Sequence, residues 1–488
     1  MDTKIVRYIL CRMLGVEAAL LLVPVLVAVI YQEKCGIVFL IPIVILCLLF
    51  WVVGRKRPEH GQIYGKEGMV IVALAWILWS LFGAMPFTLS GYIPSYVDAF
   101  FETVSGFTTT GSSIIPDVEV LPHCLLFWRS FTHWIGGMGV LAFVLVVTSL
   151  DRKNSMYLMR AEVPGPEKDK LVPKAMSTAR ILYGMYLTLT VIEMVFLVIG
   201  GMNLFDSMIF SFGSAGTGGF SNYADSVAHF NSAYIDGVIT VFCALFGVNF
   251  ALFYFMILGD FKSILKNEEL RTYILLIAGA TAAIMLNIHS LYPTIGKSFR
   301  YAVFQVVTVI TTTGYSTADF AQWPMFSKAV LMMLTVIGAC ASSTGGGIKV
   351  SRLMIVFKGV KREIKHVKRE IVQLAHPKSV GIIRIGGKKV SSDVLRTIYI
   401  YFIAYVGILI GSVVLVSLDN FDFETTFSAV LTTLGNVGPG MAKVGPMGNF
   451  AEFSPLSKLI LCFDMLAGRL EIFPFLVLFT APAWRRKF

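Results

Sequence analysis

Long apolar runs alternate with short polar segments along the whole of this chain of 488 residues. Runs near or above 18 residues recur from one end to the other, which is the length that an apolar helix needs to cross a bilayer. The chain is 56% hydrophobic with a mean hydropathy of +0.75, more apolar surface than a soluble domain of this size could bury. The pattern therefore predicts an all-α membrane protein with many spans.

Ten full spans are predicted. Two come first, near 8–31 and 36–53. The first run is too long for a secretory signal and carries Glu17, so we interpret it as a retained span. A span–loop–span unit then follows four times. Its first spans lie near 67–91, 177–201, 272–291 and 396–418, and its second spans near 125–149, 233–259, 327–357 and 455–481.

A semi-polar segment of about a dozen residues lies between the two spans of each unit: Tyr96–Thr108, Leu204–Gly216, Phe299–Thr311 and Phe423–Leu434. These segments are too short to cross about 30 Å of hydrocarbon. They predict re-entrant half-helices followed by an extended return, an arrangement tolerated at membrane depth only where it is buried in protein or lines a water-filled cavity. Asp98, Asp206 and Asp422 suit the N-terminal ends of three of them.

Each half-helix leads into a similar loop: SGFTTTGSS (105–113), GSAGTGGFS (213–221), VITTTGYST (309–317) and TLGNVGPGM (433–441). Glycine permits the unusual dihedral angles of a backbone whose carbonyls all point inward, and small threonines leave room beside it. Four such loops around an axis can form the ring of carbonyls that replaces the water shell of K⁺. The predicted filter residues are Thr109, Thr110, Gly111, Thr217, Gly218, Gly219, Thr312, Thr313, Gly314, Asn436, Val437 and Gly438.

The alternative for these loops is a set of glycine-rich turns on the outer face, or glycines that pack helices. A tight turn would not need a half-helix in front of it, so the filter interpretation is favoured.

The net charge of +11 is distributed unevenly. Lys and Arg number 4, 6, 3, 13 and 3 in 54–66, 151–176, 260–271, 349–396 and the tail after Trp484. They number 0, 0, 2 and 1 in 92–125, 202–233, 290–324 and 419–454. The positive-inside rule then puts both termini in the cytoplasm. No aromatic-interleaved basic stripe suggests nucleic-acid binding. The seven cysteines are scattered and predict neither a disulfide framework nor a metal site.

Two features of the later units bear on gating. The second span of unit three is interrupted by the small residues of Gly338–Gly347, which indicates either a kink or an intramembrane loop. Arg469 lies inside the last span, where a charge needs a cavity or a partner. Arg469 is either a gate beneath the filter or half of a structural ion pair, although Asp464 and Glu471 lack the spacing that favours pairing along a helix.

Four further stretches carry a resemblance to a known family: WRSFTHWIGGMG (128–139), ASSTGGGIKVSR (341–352), LGNVGPG (434–440) and AGRLEIFP (467–474). With the four loops, they make the chain resemble the TrkH-type subunits of the Trk/Ktr/HKT potassium transporter superfamily. The two extra N-terminal spans resemble the TrkH branch. The second and fourth loops depart from Thr-Thr-Gly, so the ring is not an exact fourfold one.

The resemblance implies a pseudo-fourfold pore in one chain, K⁺ ions bound at the filter, no covalent cofactor, and a homodimer in a bacterial inner membrane. It also implies a cytoplasmic nucleotide-binding regulatory partner of TrkA type. Glycine at the filter position of all four loops goes with potassium selectivity in this family. The resemblance favours an intramembrane gating loop that includes Gly345, Gly346 and Gly347, with Arg469 as a further gate.

Arg129 and His133 lie on one helix face and are expected to support the first filter loop. The basic stretch 349–396 is either a lipid-headgroup-facing surface or a docking surface for the regulatory partner. The expected units are an N-terminal two-span domain (1–60) and four pore repeats (61–165, 166–265, 266–375 and 376–488).

The favoured function is potassium uptake through a gated pore driven by the membrane potential. Obligatory symport with H⁺ or Na⁺ stays open as an alternative, although four units running in the same direction favour a pore over inverted repeats. No intramembrane catalytic dyad and no nucleotide-binding motif is found in the sequence, so an enzyme is not expected.

Overall fold

A computed structural model describes residues 3–55, 65–139, 175–373, 384–385, 388–390 and 392–484 of the chain. The expected inner segment 151–176 lies almost wholly outside the described residues. The tail after Trp484 and parts of 54–66 and 349–396 also lie outside them. The expected unit boundaries at 60/61, 165/166 and 375/376 also fall outside them, and the division into five units stays a prediction.

The N-terminal unit consists of two antiparallel apolar rods. The first contains α1 (Thr3–Leu20) and α2 (Leu22–Ile30), and the second contains a 3₁₀ turn (Lys34–Phe39), α3 (Leu40–Leu49) and a π turn (Phe50–Gly54). Helix α1 packs against the first span of repeat 1. That span is accordingly 61% buried over its most apolar window, against 17–28% for the corresponding spans of the other repeats.

Four span–half-helix–span repeats follow. The first spans are α4 (Gly65–Leu89), α7 (Ala175–Ile199), α12 (Glu268–Ile288) and α16 (Ser392–Val416). The half-helices are α5 (Tyr96–Phe107), α8 (Leu204–Gly216), α13 (Ile295–Ile310) and α17 (Phe423–Gly435). The second spans begin with α6 (His123–Gly137), α9 (Ala233–Phe246), α14 (Met325–Ile337) and α18 (Pro455–Arg469). These bounds confirm the predicted all-α fold of repeated units.

Side-chain caps fix where the half-helices begin. The side chains of Ser95, Asn203, Thr294 and Asp422 each accept a hydrogen bond from the backbone amide three residues later. These bonds satisfy amides that a helix start leaves without a partner. Asp422 is therefore a cap, as expected, whereas Asp98 and Asp206 occupy the first turn of their helices. The hydrogen bonds from Thr425 lower the pKa of Asp422.

The second spans depart from the prediction. Six described helices are long and apolar enough to cross a membrane, namely the two N-terminal rods and the four first spans. In the part of the chain that the structure describes, the second spans of repeats two, three and four instead end or bend halfway. Helix α9 turns by 93° into α10 (Phe250–Ile257), α14 ends in a loop before α15 (Val350–Gln373), and α18 ends before the single turn α19 (Phe473–Leu476). The prediction of ten continuous spans was wrong in this respect.

Glycines lie at the ends of three second-span helices, where their conformational freedom lets the backbone leave the helix. Helix α6 ends before Gly139 (φ +87°), α9 ends at Gly247, and α14 ends at Gly338 (φ +72°). In the fourth repeat Glu471 and Ile472 take positive φ angles without being glycine. The breaks leave backbone groups free beside the C-terminal ends of the half-helices, where the candidate site lies.

The remaining elements are small. Helices α11 (Phe261–Lys266) and α20 (Ala481–Trp484) are short, and β1 (Arg384–Ile385) pairs antiparallel with β2 (Lys388–Lys389) within the basic segment. Large aromatic side chains fill the core around the first repeat, among them Trp76, Trp79, Phe107 and Trp128. Exposed leucines, isoleucines and valines cover the outer sides of the first spans, as expected for a surface that faces lipid.

Candidate ion pathway

Each half-helix ends in the same turn. A residue one or two positions after the helix takes a left-handed conformation in all four repeats, with φ of 55°, 55°, 61° and 54° at Thr109, Thr217, Thr312 and Asn436. The next amide donates a hydrogen bond 2.8–2.9 Å long to the carbonyl five residues earlier. This is the Schellman ending, which normally uses glycine. A residue other than glycine in this left-handed backbone conformation costs about 1–3 kcal/mol, and such strain is typical of functional sites.

The glycine two residues later is also left-handed in all four repeats, with φ of 83°, 76°, 80° and 93° at Gly111, Gly219, Gly314 and Gly438. A Cβ on Gly438 would lie 2.6 Å from the carbonyl oxygen of Thr110 in the first repeat. The other three glycines face a neighbouring carbonyl oxygen even more closely. Only glycine satisfies both the backbone angle and this close approach.

These contacts run in one direction around the molecule. Gly111 abuts the Gly218 carbonyl, Gly219 the Thr313 carbonyl, Gly314 the Val437 carbonyl, and Gly438 the Thr110 carbonyl. Four glycines and four carbonyls, one of each from every repeat, therefore form a closed circuit. The twelve residues predicted for the filter all lie in these four turns. The C-terminal ends of the half-helices, which carry partial negative charge, lie directly beside the circuit.

A cavity of about 120 Å³ opens above the circuit. The four glycines of the circuit line it, together with residues of the return segments, including Ser112, Ser221 and Ser316. This volume holds several water molecules.

A buried ion pair between α5 and α6 contacts the return segments of the first two loops. The Arg129 Nε donates to the Glu102 carboxylate at 2.5 Å, and both side chains are at most 4% exposed. The Glu102 carboxylate also accepts from the Ile114 amide at 2.8 Å, and Arg129 donates to the Ser221 carbonyl at 2.8 Å. The pair thus ties the return segments of loops one and two to α5 and α6.

The other repeats anchor their return segments with different residues. Asp206 accepts from the side chains of Asn222 and Tyr223, and burial together with this bond raises the pKa of Tyr223 to about 12. In the fourth repeat the Ser428 hydroxyl accepts from the Met441 amide at 2.9 Å. His133 supports the first filter loop, as expected, because its Nδ1 lies 2.7 Å from the Gly106 carbonyl oxygen.

The segment between α14 and α15 (residues 338–349) lies directly beneath the circuit. We call it the intramembrane loop. The Gly346 amide donates to the Thr312 hydroxyl at 2.6 Å, and the Cys340 amide donates to the Gly247 carbonyl at the bend of α9. A Cβ on Gly345 would lie 2.8 Å from the Thr311 carbonyl oxygen. The interruption is therefore a loop under the third and fourth turns, and a simple kink is ruled out.

Arg469 holds the intramembrane loop to the rest of the molecule. Its guanidinium donates to the Thr344 carbonyl at 2.8 Å and to the carbonyls of Gly136 and Gly137 at the end of α6. Lys349 is 2% exposed and donates to the Gly345 carbonyl. Two positively charged side chains, Arg469 and Lys349, thus lie at or beside the loop below the carbonyl circuit.

Sequence reasoning missed Glu102 and Lys349, and it did not find the partner of Glu471. Glu471 pairs with Arg352, which lies 119 positions away along the chain. An ionisable residue within an apolar half-helix was the signal that could have identified Glu102. The partner of Glu471 comes from another repeat, and Lys349 donates to a backbone carbonyl of its own loop, so the spacing of charged residues along the chain carries no signal for either.

Comparison with known proteins agrees with this geometry. The family described as "TrkH: Cation transport protein" matches residues 38–485. The chain belongs to the TrkH family of cation transport proteins. It is 36% identical over 474 residues to the Trk system potassium uptake protein TrkH of Salmonella typhimurium, covering 95% of this chain and 96% of the relative.

Other TrkH-family relatives extend the likeness. The Trk system potassium uptake protein TrkG of Escherichia coli is 32% identical over 470 residues, covering 95% of both chains. The crystal structure of the potassium transporter TrkH from Vibrio parahaemolyticus matches with a TM-score of 0.88 and 30% identity, covering 99% of this chain and all of that one. The fold of this chain is therefore that of a TrkH-family membrane protein with many spans.

Proposed function

We propose that this chain carries K⁺ inward along the axis of the carbonyl circuit. The observation that carries the proposal is the closed ring in which each filter glycine abuts the carbonyl of the next repeat. Such a ring offers oxygen ligands from all four sides at one level, which is the arrangement that replaces the hydration shell of K⁺. The names of the relatives, which are potassium uptake proteins, support the same ion.

The driving force in this account is the membrane potential. It supplies about 2.3 kcal/mol per elementary charge per 100 mV. The segments on the side of the circuit where the cavity opens are poor in Lys and Arg, with none in 92–125 and 202–233. This supports a filter that opens outward and termini in the cytoplasm. The partial negative charges of the four half-helix ends favour a cation at the circuit.

We further propose that the intramembrane loop and Arg469 form the gate. The loop obstructs the path sterically, because Gly345 and Gly346 lie against the underside of the third and fourth turns. A positive charge at about 4 Å from the ion costs about 4 kcal/mol at an effective dielectric constant of 20. That barrier would slow passage about 10³-fold until the loop and the guanidinium move together.

As the family resemblance implies, a cytoplasmic nucleotide-binding partner of TrkA type supplies the signal that opens the gate. The same resemblance implies that the chain assembles as a homodimer. The basic segment 349–396 follows the intramembrane loop directly, so a partner docked there would act on the loop through α15. Pulling on α15 would break the bonds that hold Gly346 and Thr344 in place.

Flux of ⁸⁶Rb⁺ into proteoliposomes that hold the purified chain tests the function. We expect uptake down its gradient, blocked by K⁺ and unaffected by Na⁺, with an increase when the regulatory partner is added. Uptake that occurs only with a proton or sodium gradient would show that transport is coupled symport and not passage through a pore. Equal block by Na⁺ would overturn potassium selectivity.

A further inference from the structure

The second span of each repeat packs against the half-helix of the next repeat. Helix α6 contacts α8, α9 contacts α13, α14 contacts α17, and α18 contacts α5, so the last repeat closes onto the first. This order has the same direction as the contacts between the filter glycines and the carbonyls. Each half-helix therefore has a neighbouring repeat beside it as well as at its C-terminal turn.

Three of these four contacts contain an ion pair in the N-terminal part of the half-helix. Each pair joins a charged side chain of the second span to an opposite charge on the next half-helix. The distances between the side-chain nitrogen and the carboxylate oxygen are 2.6 Å for Asp236 with Arg300, 3.0 Å for Lys328 with Glu424, and 2.6 Å for Lys458 with Asp98. Because the two members always come from different repeats, each pair ties two repeats together.

The three pairs start from equivalent positions. Asp236, Lys328 and Lys458 are each the fourth residue of their helix. The charge at this position is negative in repeat 2 and positive in repeats 3 and 4, and the sign of the partner is reversed with it. A position that served to attract cations would keep one sign. The repeats instead share the link between neighbours.

Repeat 1 makes the corresponding contact with aromatic rings. His123, the first residue of α6, meets Phe205 of the next half-helix with 4.9 Å between ring centroids, and Tyr31 of the N-terminal unit stacks on His123 at 4.0 Å. The Glu33 carboxylate of the same unit accepts a hydrogen bond from the His123 amide at 2.7 Å. The N-terminal unit thus reinforces the joint at which the structure describes no ion pair between repeats.

Burial makes two of the pairs hard to separate. The side chain of Lys458 is 5% exposed and that of Asp236 is 2% exposed. A buried charge that loses its partner is strongly destabilising, so the partner must stay beside it. The Lys328–Glu424 pair is more exposed, at 19% and 47%, and therefore holds its two repeats less firmly.

We propose that these six residues are positioning residues, which fix the spacing of the half-helices and thereby the preference of the carbonyl circuit for K⁺. Each of the half-helices α5, α13 and α17 is then held at two points, by an ion pair in its N-terminal part and by the circuit at its C-terminal end. A helix of 12 residues such as α5 is about 18 Å long, so a tilt that begins at its start displaces the carbonyls at its end. The proposal rests on the K⁺ pathway proposed above and assigns the geometry of that pathway to these residues.

Charge reversal at the Lys458–Asp98 pair is the test. Lys458→Glu and Asp98→Lys each bring like charges together, and the double variant restores an opposite pair with the charges exchanged. Uptake of ⁸⁶Rb⁺ into proteoliposomes with K⁺ or Na⁺ as competitor gives the ion preference, and a melting curve reports the fold. We expect each single variant to melt at a lower temperature and to lose about threefold or more of its preference for K⁺, and the double variant to recover most of both.

The Lys443–Glu452 pair supplies the matched control. Its charges also lie 2.6 Å apart, but both residues belong to repeat 4 and are 52% and 66% exposed. Lys443→Glu should therefore keep the wild-type preference for K⁺. If a single variant of the Lys458–Asp98 pair does not fold, the same three variants of the more exposed Lys328–Glu424 pair decide the question.

A purely structural role would lower the melting temperature and leave the ion preference unchanged. Wild-type preference for K⁺ in folded single variants would therefore overturn the proposal, and so would a double variant that recovers neither property. In both cases the selective wild type would leave the proposed function intact. A wild-type protein without selectivity for K⁺ would instead overturn the proposed function, and this inference with it.

Discussion

Gly314→Ala tests the carbonyl circuit through a single methyl group. Gly314 has a φ of +80°, and a Cβ there would collide with the Val437 carbonyl oxygen and lie 2.7 Å from the Pro439 ring. Gly91→Ala is the matched control, because Gly91 has the same φ of +80° but no atom within 4 Å of the added methyl group. The two variants share the backbone strain and differ only in the contact with the neighbouring repeat.

The magnitudes separate the two effects. An L-residue in the left-handed region costs about 1–2 kcal/mol, so both variants should lose a similar part of their stability from this source. Only Gly314→Ala displaces a carbonyl of the circuit. An interaction between a carbonyl and a charged group contributes about 1.5–3 kcal/mol, which corresponds to roughly 10- to 100-fold in ion preference.

The assay is ⁸⁶Rb⁺ uptake into proteoliposomes with increasing K⁺ or Na⁺ as competitor, together with a melting curve for each variant. We expect Gly91→Ala to keep the wild-type preference for K⁺, and Gly314→Ala to lose at least tenfold of it. Wild-type selectivity in a folded Gly314→Ala variant would refute the reasoning that the circuit discriminates between ions.

Three further predictions concern the gate and the filter scaffold. Arg469→Ala removes the donor to the Thr344 and Gly136 carbonyls and should raise ⁸⁶Rb⁺ uptake without the partner at least tenfold. Arg469→Lys keeps the charge and should give a smaller rise, and unchanged uptake in both variants would show that Arg469 is not part of the gate. Thr312→Ala removes the hydroxyl that accepts from the Gly346 amide and should also raise ⁸⁶Rb⁺ uptake. Thr312→Ser keeps the hydroxyl and should match the wild type, so equal uptake in the two variants would contradict a role of this bond in the gate. Glu102→Gln leaves the buried Arg129 guanidinium without its counter-charge and should lower the free energy of unfolding by about 3–5 kcal/mol in a denaturant curve. Glu119→Gln, at an exposed site, should lower it by almost nothing, and similar losses in the two variants would show that the Arg129–Glu102 pair is not stabilising.

The repeated architecture could be predicted because its causes are local. Four apolar–semi-polar–apolar units appear directly in the hydropathy, and the half-helices end within a few residues of the predicted positions. Gly111 and its three equivalents could be identified because both the backbone angle and the packing demand glycine at the same place in every unit. Requirements that each repeat meets with its own residues leave a visible period in the sequence.

Features that depend on contacts between different helices and loops, or that leave the hydropathy unchanged, could not be predicted. The bend of α9 at Gly247 leaves apolar composition unchanged, so hydropathy counts it as a single span. The contacts of Arg469 with Thr344 and Gly136 join three repeats, and the bond from Thr312 to the intramembrane loop runs 34 positions along the chain. Spacing arguments apply within one helix, and none of these partners shares a helix.

Anomalous diffraction from crystals grown in Rb⁺ would test most directly whether the four loops bind the transported ion. The account predicts a Rb⁺ peak on the axis, coordinated by backbone oxygens from all four turns that end at Gly111, Gly219, Gly314 and Gly438. The peak should disappear when Na⁺ replaces Rb⁺. Ordered Rb⁺ only at sites away from these turns, or an equally strong Na⁺ site among them, would contradict it.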